Sequence, residues 1–502
     1  MAIHMGGRIL WEWIIVAFRL VEKLLDTKLF KLLNIFVNRF SCNNTIPGPK
    51  EIPLLGHLHL FSPLGPYKME KLQDAFFDLH RQFGPIVRLK LGVEMVVVFN
   101  PEDAKTVLHS DGRYPFRPPM KALLNYRKSN PQLYNRMGLF SDNGEDWLYM
   151  RKLTDSLVKA NVAESYLQHQ SEVADHFMDY VESHLNGENI MEDVLMHLYK
   201  YTQEAFGVVC FGGRLGCISE STLGSKVNSA VCMSLESIAK TMLGIPWWKF
   251  NIHTSSYKNL CQAQECLRSV TEKYLENASS INESERGVYL NFLLNNKELD
   301  RRDLTLLSLE LFHAGIDATA SIIAFCLYYI SKDPKVQNKV LNEIDDVIGD
   351  GDITTESLMK VKYLRACLNE TYRMNPTAAG TARILSKPMT LSNYTVNKGT
   401  FVLCCHPAMC RDEKYVDDPN VFCPERYLPD SPISKPPPFV SLPFSNGARM
   451  CPGKRFAQQE IILFLIKFFM KFGCSYEGEE VGSIMRLNMM PDKPINLKII
   501  HR

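Results

Sequence analysis

The sequence predicts a mainly α-helical protein with a minor β part, folded as one large domain. Three observations carry this. Helical periodicity dominates from Trp147 to about Ile330. Alternating, β-branched stretches are confined to the two ends of the chain. No Ser/Gly-rich run, low-complexity tract, block of like charges or internal repeat divides the 502 residues, although length alone would suggest about three domains. With 46% hydrophobic and 22% charged residues, the chain has the composition of a globular protein with a large core.

Taken in order, residues 1–45 form a separate segment. Ile9, Leu10, Ile14, Phe18, Val21 and Leu25 fall at helical spacing among Arg8, Arg19, Lys23, Lys28, Lys31 and Arg39. Charges interrupt the apolar runs too often for a membrane-spanning helix, which needs about 20 apolar residues. Two readings stay open: an amphipathic transit segment, which Glu12, Glu22 and Asp26 weigh against, or a helix lying on a membrane surface. The main domain is expected over 46–502, entered through the stiff, proline-rich Ile46–His57. Ile86–Asn100 alternates about a turn near Gly92 and reads as a hairpin. Arg301–Asp333 is apolar nearly all round and makes a helix about 45 Å long. Its Glu310, His313 and Asp317 argue for a buried axis rather than a lipid-facing span. Strands return over Met389–Cys405, a proline-rich loop follows, and Gly453–Phe472 reads as a final buried helix.

Composition also excludes function classes. A net charge of +2 argues against a general nucleic-acid binder. The 14 cysteines are too scattered for a disulfide scaffold, and the absence of a Cys-x-x-Cys pair argues against structural zinc. Most read as small buried hydrophobes in a reducing compartment.

Cys451, in Phe444–Gly453 (FSNGARMCPG), needs its own reading. It sits just before the predicted final helix, whose start offers the N–H groups of Gly453 and Lys454 and a partial positive charge. Arg449, Lys454 and Arg455 add charge, and Gly447 and Gly453 let the backbone approach a flat ligand. A single anionic sulfur so held suits one axial bond to haem iron. A buried structural cysteine is the alternative.

These residues carry a family resemblance. Phe444, Gly447, Arg449, Cys451 and Gly453 resemble the haem-binding signature of the cytochrome P450 family. Four further segments are similar to family motifs, in the family's order: WLYMR (Trp147, Arg151), AGIDAT (Ala314–Thr319), ETYR (Glu370, Arg373) and PERY (Pro424–Tyr427). The resemblance spans about residues 46 to 502. It implies a P450-type helical domain with small antiparallel sheets, haem b as cofactor and Cys451 as the iron ligand. Trp147, Arg151, Arg383 and Arg449 would meet the haem propionates, although Arg383 also reads as a solvated loop arginine. Glu370 and Arg373, buried with Arg426, would lock the cysteine side of the fold. Asp317 would supply protons beside a kink or groove at Gly315, its alternative being a buried acid that caps a neighbouring element. Ala318 stands where the family usually has threonine. Thr319, one residue on, is rotated about 100° around the helix.

Gly112–Pro119 (GRYPFRPP) and Gly138–Lys152 resemble the mitochondrial class of the family. That class implies an adrenodoxin-type ferredoxin and its reductase as partners, docking on a basic face formed by Arg365, Lys454 and Arg455. Asn369 departs from the second paired basic position. The location implied is the matrix side of the mitochondrial inner membrane, with the endoplasmic reticulum membrane as the alternative. Trp247 and Trp248 read either as a peripheral membrane contact or as a buried pair. Ser62–Tyr67 and Tyr126–Leu139 are similar to arthropod ecdysteroid-forming hydroxylases, implying a sterol-like substrate. The alternatives are a microsomal-type xenobiotic monooxygenase, a haem-thiolate isomerase or dehydratase needing no electron partner, and a noncatalytic haem protein.

Overall fold

In the computed structural model, which describes residues 45–502 apart from 54, 244–245, 281 and 283–285, the first regular sheet is the expected hairpin. Strands β1 (Ile86–Lys90) and β2 (Glu94–Val98) pair antiparallel about Gly92, whose φ of +72° suits the turn. Their buried faces carry Val87, Leu89 and Val97. The sheet is completed from far along the chain by β3 (Thr381–Ile384) and β4 (Phe401–Cys404), in the order β1-β2-β4-β3. β3 and β4 pair antiparallel, but β2 and β4 run parallel, with Met95 opposite Phe401 and Val98 opposite Cys404. A parallel pair needs a long crossover, and here most of the helical domain supplies it. The small sheets elsewhere are antiparallel, including the hairpin Ser483–Met485 with Met489–Pro491. The segment expected over 1–45 lies, but for its last residue, outside the described residues.

Helices dominate the rest of the body, Gly48–Arg502. The central helix, Arg301–Lys332, begins where Asp300 accepts a hydrogen bond from the Arg302 N–H at 2.7 Å. Its most apolar stretch is 83% buried inside the protein, which makes it the core axis. It packs along the helix Val194–Phe211. At the crossing the Phe206 ring occupies the place where a Cβ on Gly315 would stand. No break in the helix assignment occurs at Gly315, and the space left by its missing side chain is filled by an aromatic ring rather than left as an open groove. The last long helix, Lys454–Lys471, packs against the central helix and Leu167–Ser183, with the Phe177 and Phe464 rings 5.6 Å apart. It carries the cysteine loop at its N-terminal end.

Candidate functional site

The cysteine loop is a tight backbone structure. The Cys451 N–H donates to Phe444 O at 3.0 Å and the Met450 N–H to Gly447 O at 3.0 Å. Gly447 has φ +80°, a conformation that favours glycine. The helix opens at Lys454 with Gly453 as its cap, one residue later than the sequence suggests. Hydrogen bonds from the Gly453 and Lys454 N–H groups and the charges of Arg151 and Lys454 favour a Cys451 thiolate, yet burial outweighs them and raises the thiol above its usual range. A cation at Sγ would reverse that balance. Beside the sulfur, Arg151 donates to Met450 O at 2.9 Å.

Cations gather on one side of this loop. Arg449 lies over the buried Trp147 ring at 4.2 Å and donates to Asp142 O at 2.9 Å and Asn143 Oδ1 at 2.7 Å. Arg383, on β3, is 3% exposed, which removes the solvated-loop reading. Its Nε donates to Asp111 at 2.8 Å and its Nη1 to Ala382 O, while its buried Nη2 has no partner among the described residues. Burial, with repulsion from Arg117 and Arg383, pushes Arg449 down to about 9. Burial and Arg383 lower Arg117 to about 10. Asp111 is the carboxylate paired to Arg383, and burial raises even that group above its usual range. An under-neutralised guanidinium cluster with an orphaned donor, beside a sulfur that wants a cation, fits a ligand carrying both carboxylates and a metal ion. Sequence reasoning missed Asp111 and Arg117, although both lie in or next to the Gly112–Pro119 segment it singled out.

On the far side of the loop Glu370 is fully buried. It accepts from Arg373 Nε and Nη2, both at 2.8 Å, from Arg426 Nε at 3.0 Å and from the Cys423 N–H at 2.9 Å. Arg373 also donates to the carbonyls of Cys410, Pro419 and Val421. The loop leading towards Cys451 is thereby tied to the helix Lys362–Met374.

On the central helix, Asp317 is 3% exposed and both its oxygens are taken. Oδ1 accepts from the Tyr199 hydroxyl at 2.7 Å and Oδ2 from Asn488 Nδ2 at 2.9 Å. It thus joins the Val194–Phe211 helix to the Ser483–Pro491 hairpin, and burial raises its carboxyl above the usual range. Thr319 is buried. Ala314 and Ala318, one turn apart, are half-buried and form an accessible strip of small side chains.

The basic residues divide. Lys454 and Arg455 are exposed, whereas Arg365 is half-buried and donates to Leu358 O at 2.8 Å. Trp248 is buried and stacks on Tyr257, the ring centroids 5.6 Å apart, while Trp247 is half-buried. The exposed apolar groups of that segment are Phe250 at 68% and Ile252 at 52%.

Residues 46–499 match the family model described as cytochrome P450. Ecdysone 20-monooxygenase of Drosophila melanogaster is 29% identical over 481 residues, covering 91% of this chain and 88% of that protein. Cytochrome P450 302a1, mitochondrial, of Drosophila melanogaster is 30% identical, covering 93% and 98%. Sterol 26-hydroxylase, mitochondrial, of Homo sapiens is 29% identical, covering 90% and 89%.

Proposed function

The chain belongs to the cytochrome P450 family, whose members bind haem b through a cysteine thiolate, and on that premise we propose a mitochondrial monooxygenase that hydroxylates a bulky apolar substrate, a sterol or ecdysteroid precursor. Its electrons come from an adrenodoxin-type ferredoxin. Three relatives, named as an ecdysone monooxygenase and two mitochondrial proteins of which one is a sterol hydroxylase, support this reading. The observation that carries it is the cysteine loop beside the anion-starved arginine cluster.

Cys451 would ligate the iron. The free Arg383 Nη2, with Arg449, Arg151 and Trp147, would hold the haem carboxylates. Phe444, Gly447 and Gly453 shape the loop around the sulfur. When bound, thiolate-ligated haem supplies the oxygen-activating chemistry. The Ala314–Ala318 strip is half-buried and presents no hydroxyl. Protons are held at Asp317, and we assign their delivery to ordered water and a substrate hydroxyl rather than to Thr319, which faces another side of an unbroken helix. Lys454 and Arg455, with Arg365, form the ferredoxin face. Phe250, Ile252 and Lys249 make peripheral contact with the matrix side of the inner membrane.

Cys451→Ala tests the ligand: the reduced, carbon-monoxide-bound protein loses its long-wavelength Soret band. A variant that keeps the band overturns the assignment. Turnover of a sterol panel with ferredoxin, with a flavin reductase and with no partner tests the class. Product only with the flavin reductase marks a microsomal-type enzyme, and product without reductant marks an isomerase or dehydratase.

A further inference from the structure

A buried polar cluster lies on the central helix immediately before the Ala314–Ala318 strip. Arg127, on the helix Lys121–Lys128, is 1% exposed and its Nη1 donates to Glu310 Oε1 and to Met137 O. Glu310 is 3% exposed, and its carboxylate passes where a Cβ on Gly138 would stand. His313 is three residues further, on the same helix face as Glu310, and lies within the field of Arg127. Three polar atoms of this cluster are buried and have no partner among the described residues: Arg127 Nε, Glu310 Oε2 and His313 Nε2. Leaving such atoms unpaired is costly, and a buried ion pair is favourable only when its remaining hydrogen-bonding capacity is satisfied. The fold spends this cost at the edge of the one strip of the central helix's middle that is accessible, where His313 itself is half-buried. Burial and Arg127 push His313 down to about 4, so near neutrality its ring is uncharged and suits a neutral partner.

We propose that Glu310 and His313 form a specificity site that hydrogen-bonds a hydroxyl or keto group of the substrate, so that the enzyme selects oxygenated sterols over bare hydrocarbon skeletons. This deepens the sterol reading above and rests on it. Arg127 acts as a positioning residue that fixes the Glu310 carboxylate.

The test titrates the haem-loaded full chain with cholestane, cholesterol and ecdysone, related skeletons of rising hydroxyl content, and follows the substrate-induced Soret shift. The wild type is expected to bind at least one hydroxylated member about tenfold more tightly than cholestane. Glu310→Gln and His313→Phe are expected to bring that ratio close to one, and His313→Gln to restore part of it, with the carbon-monoxide spectrum intact in each. A ratio unchanged in both Glu310→Gln and His313→Phe overturns the proposal while leaving the sterol reading in place. If none of the three ligands shifts the wild-type spectrum, the sterol reading itself is overturned, and this site with it.

Discussion

Glu370 accepts its four hydrogen bonds from two arginines and a backbone N–H, all away from solvent. Glu370→Ala strands Arg373 and Arg426 as buried, unpaired charges, and such losses cost about 3–5 kcal/mol. A large drop in thermal midpoint, with loss of haem retention, is the expected outcome; an unchanged midpoint contradicts it. Asp317 makes a different case, because its partners Tyr199 and Asn488 are neutral and remain hydrogen-bonding groups after Asp317→Asn. That variant should fold and retain haem but lose about a hundredfold in turnover. Thr319→Ala should lose far less. Product formed per reductant consumed distinguishes them: an equal collapse of coupling in both variants gives Thr319 the role of the missing alcohol. At this scale the contact of Glu370 with Arg373 and Arg426 was legible, because the three sit in short, ordered patterns. Asp111 and Arg117 were not, because their partners Arg383 and Arg449 are brought to them only by the folded sheet and cysteine loop.

The central helix and the one it crosses define the element scale. Gly315→Ala adds a methyl group against the Phe206 ring. Overpacking costs about 1–3 kcal/mol, against a gain of roughly 0.5–1 kcal/mol from replacing a mid-helix glycine. The variant is therefore expected to be less stable, and Gly315→Ala combined with Phe206→Leu to be less destabilised than the sum of the two. Strict additivity in chemical denaturation would mean that the ring does not fill the groove. The expectation of open space beside Gly315 is the one the packing answers differently. A glycine in sequence announces a missing side chain but not what occupies the space, so a groove for a small ligand and a groove for an aromatic ring look alike. The hairpin at Ile86–Asn100 and the central helix were legible, because alternation and length are local properties. The parallel β2–β4 pairing was not, since nothing near Met95 points to Phe401.

For the molecule as a whole, pH acts on two imidazoles with little access to solvent, His406 buried and His313 half-buried. Burial, aided at His313 by Arg127, lowers both His313 and His406 to about 4. A histidine whose folded value is depressed contributes stability that is present above its unfolded value, about 6.5, and is lost as pH falls through the window down to about 4. Each contributes at most about 3 kcal/mol on that basis. The thermal midpoint should fall between pH 7 and pH 4, and His313→Gln and His406→Gln should each flatten the fall. A slope identical to wild type in both variants rules this out. The β2–β4 pairing has a consequence for how the molecule is made. β2 leaves the ribosome roughly three hundred residues ahead of β4, so throughout synthesis one edge of the hairpin stands open to stray pairing. Arg383, on β3, takes its place only when β4 docks, and Cys451 emerges later still. The cofactor seat therefore comes together among the last parts of the chain to appear, and it is complete only once nearly the whole protein has been made.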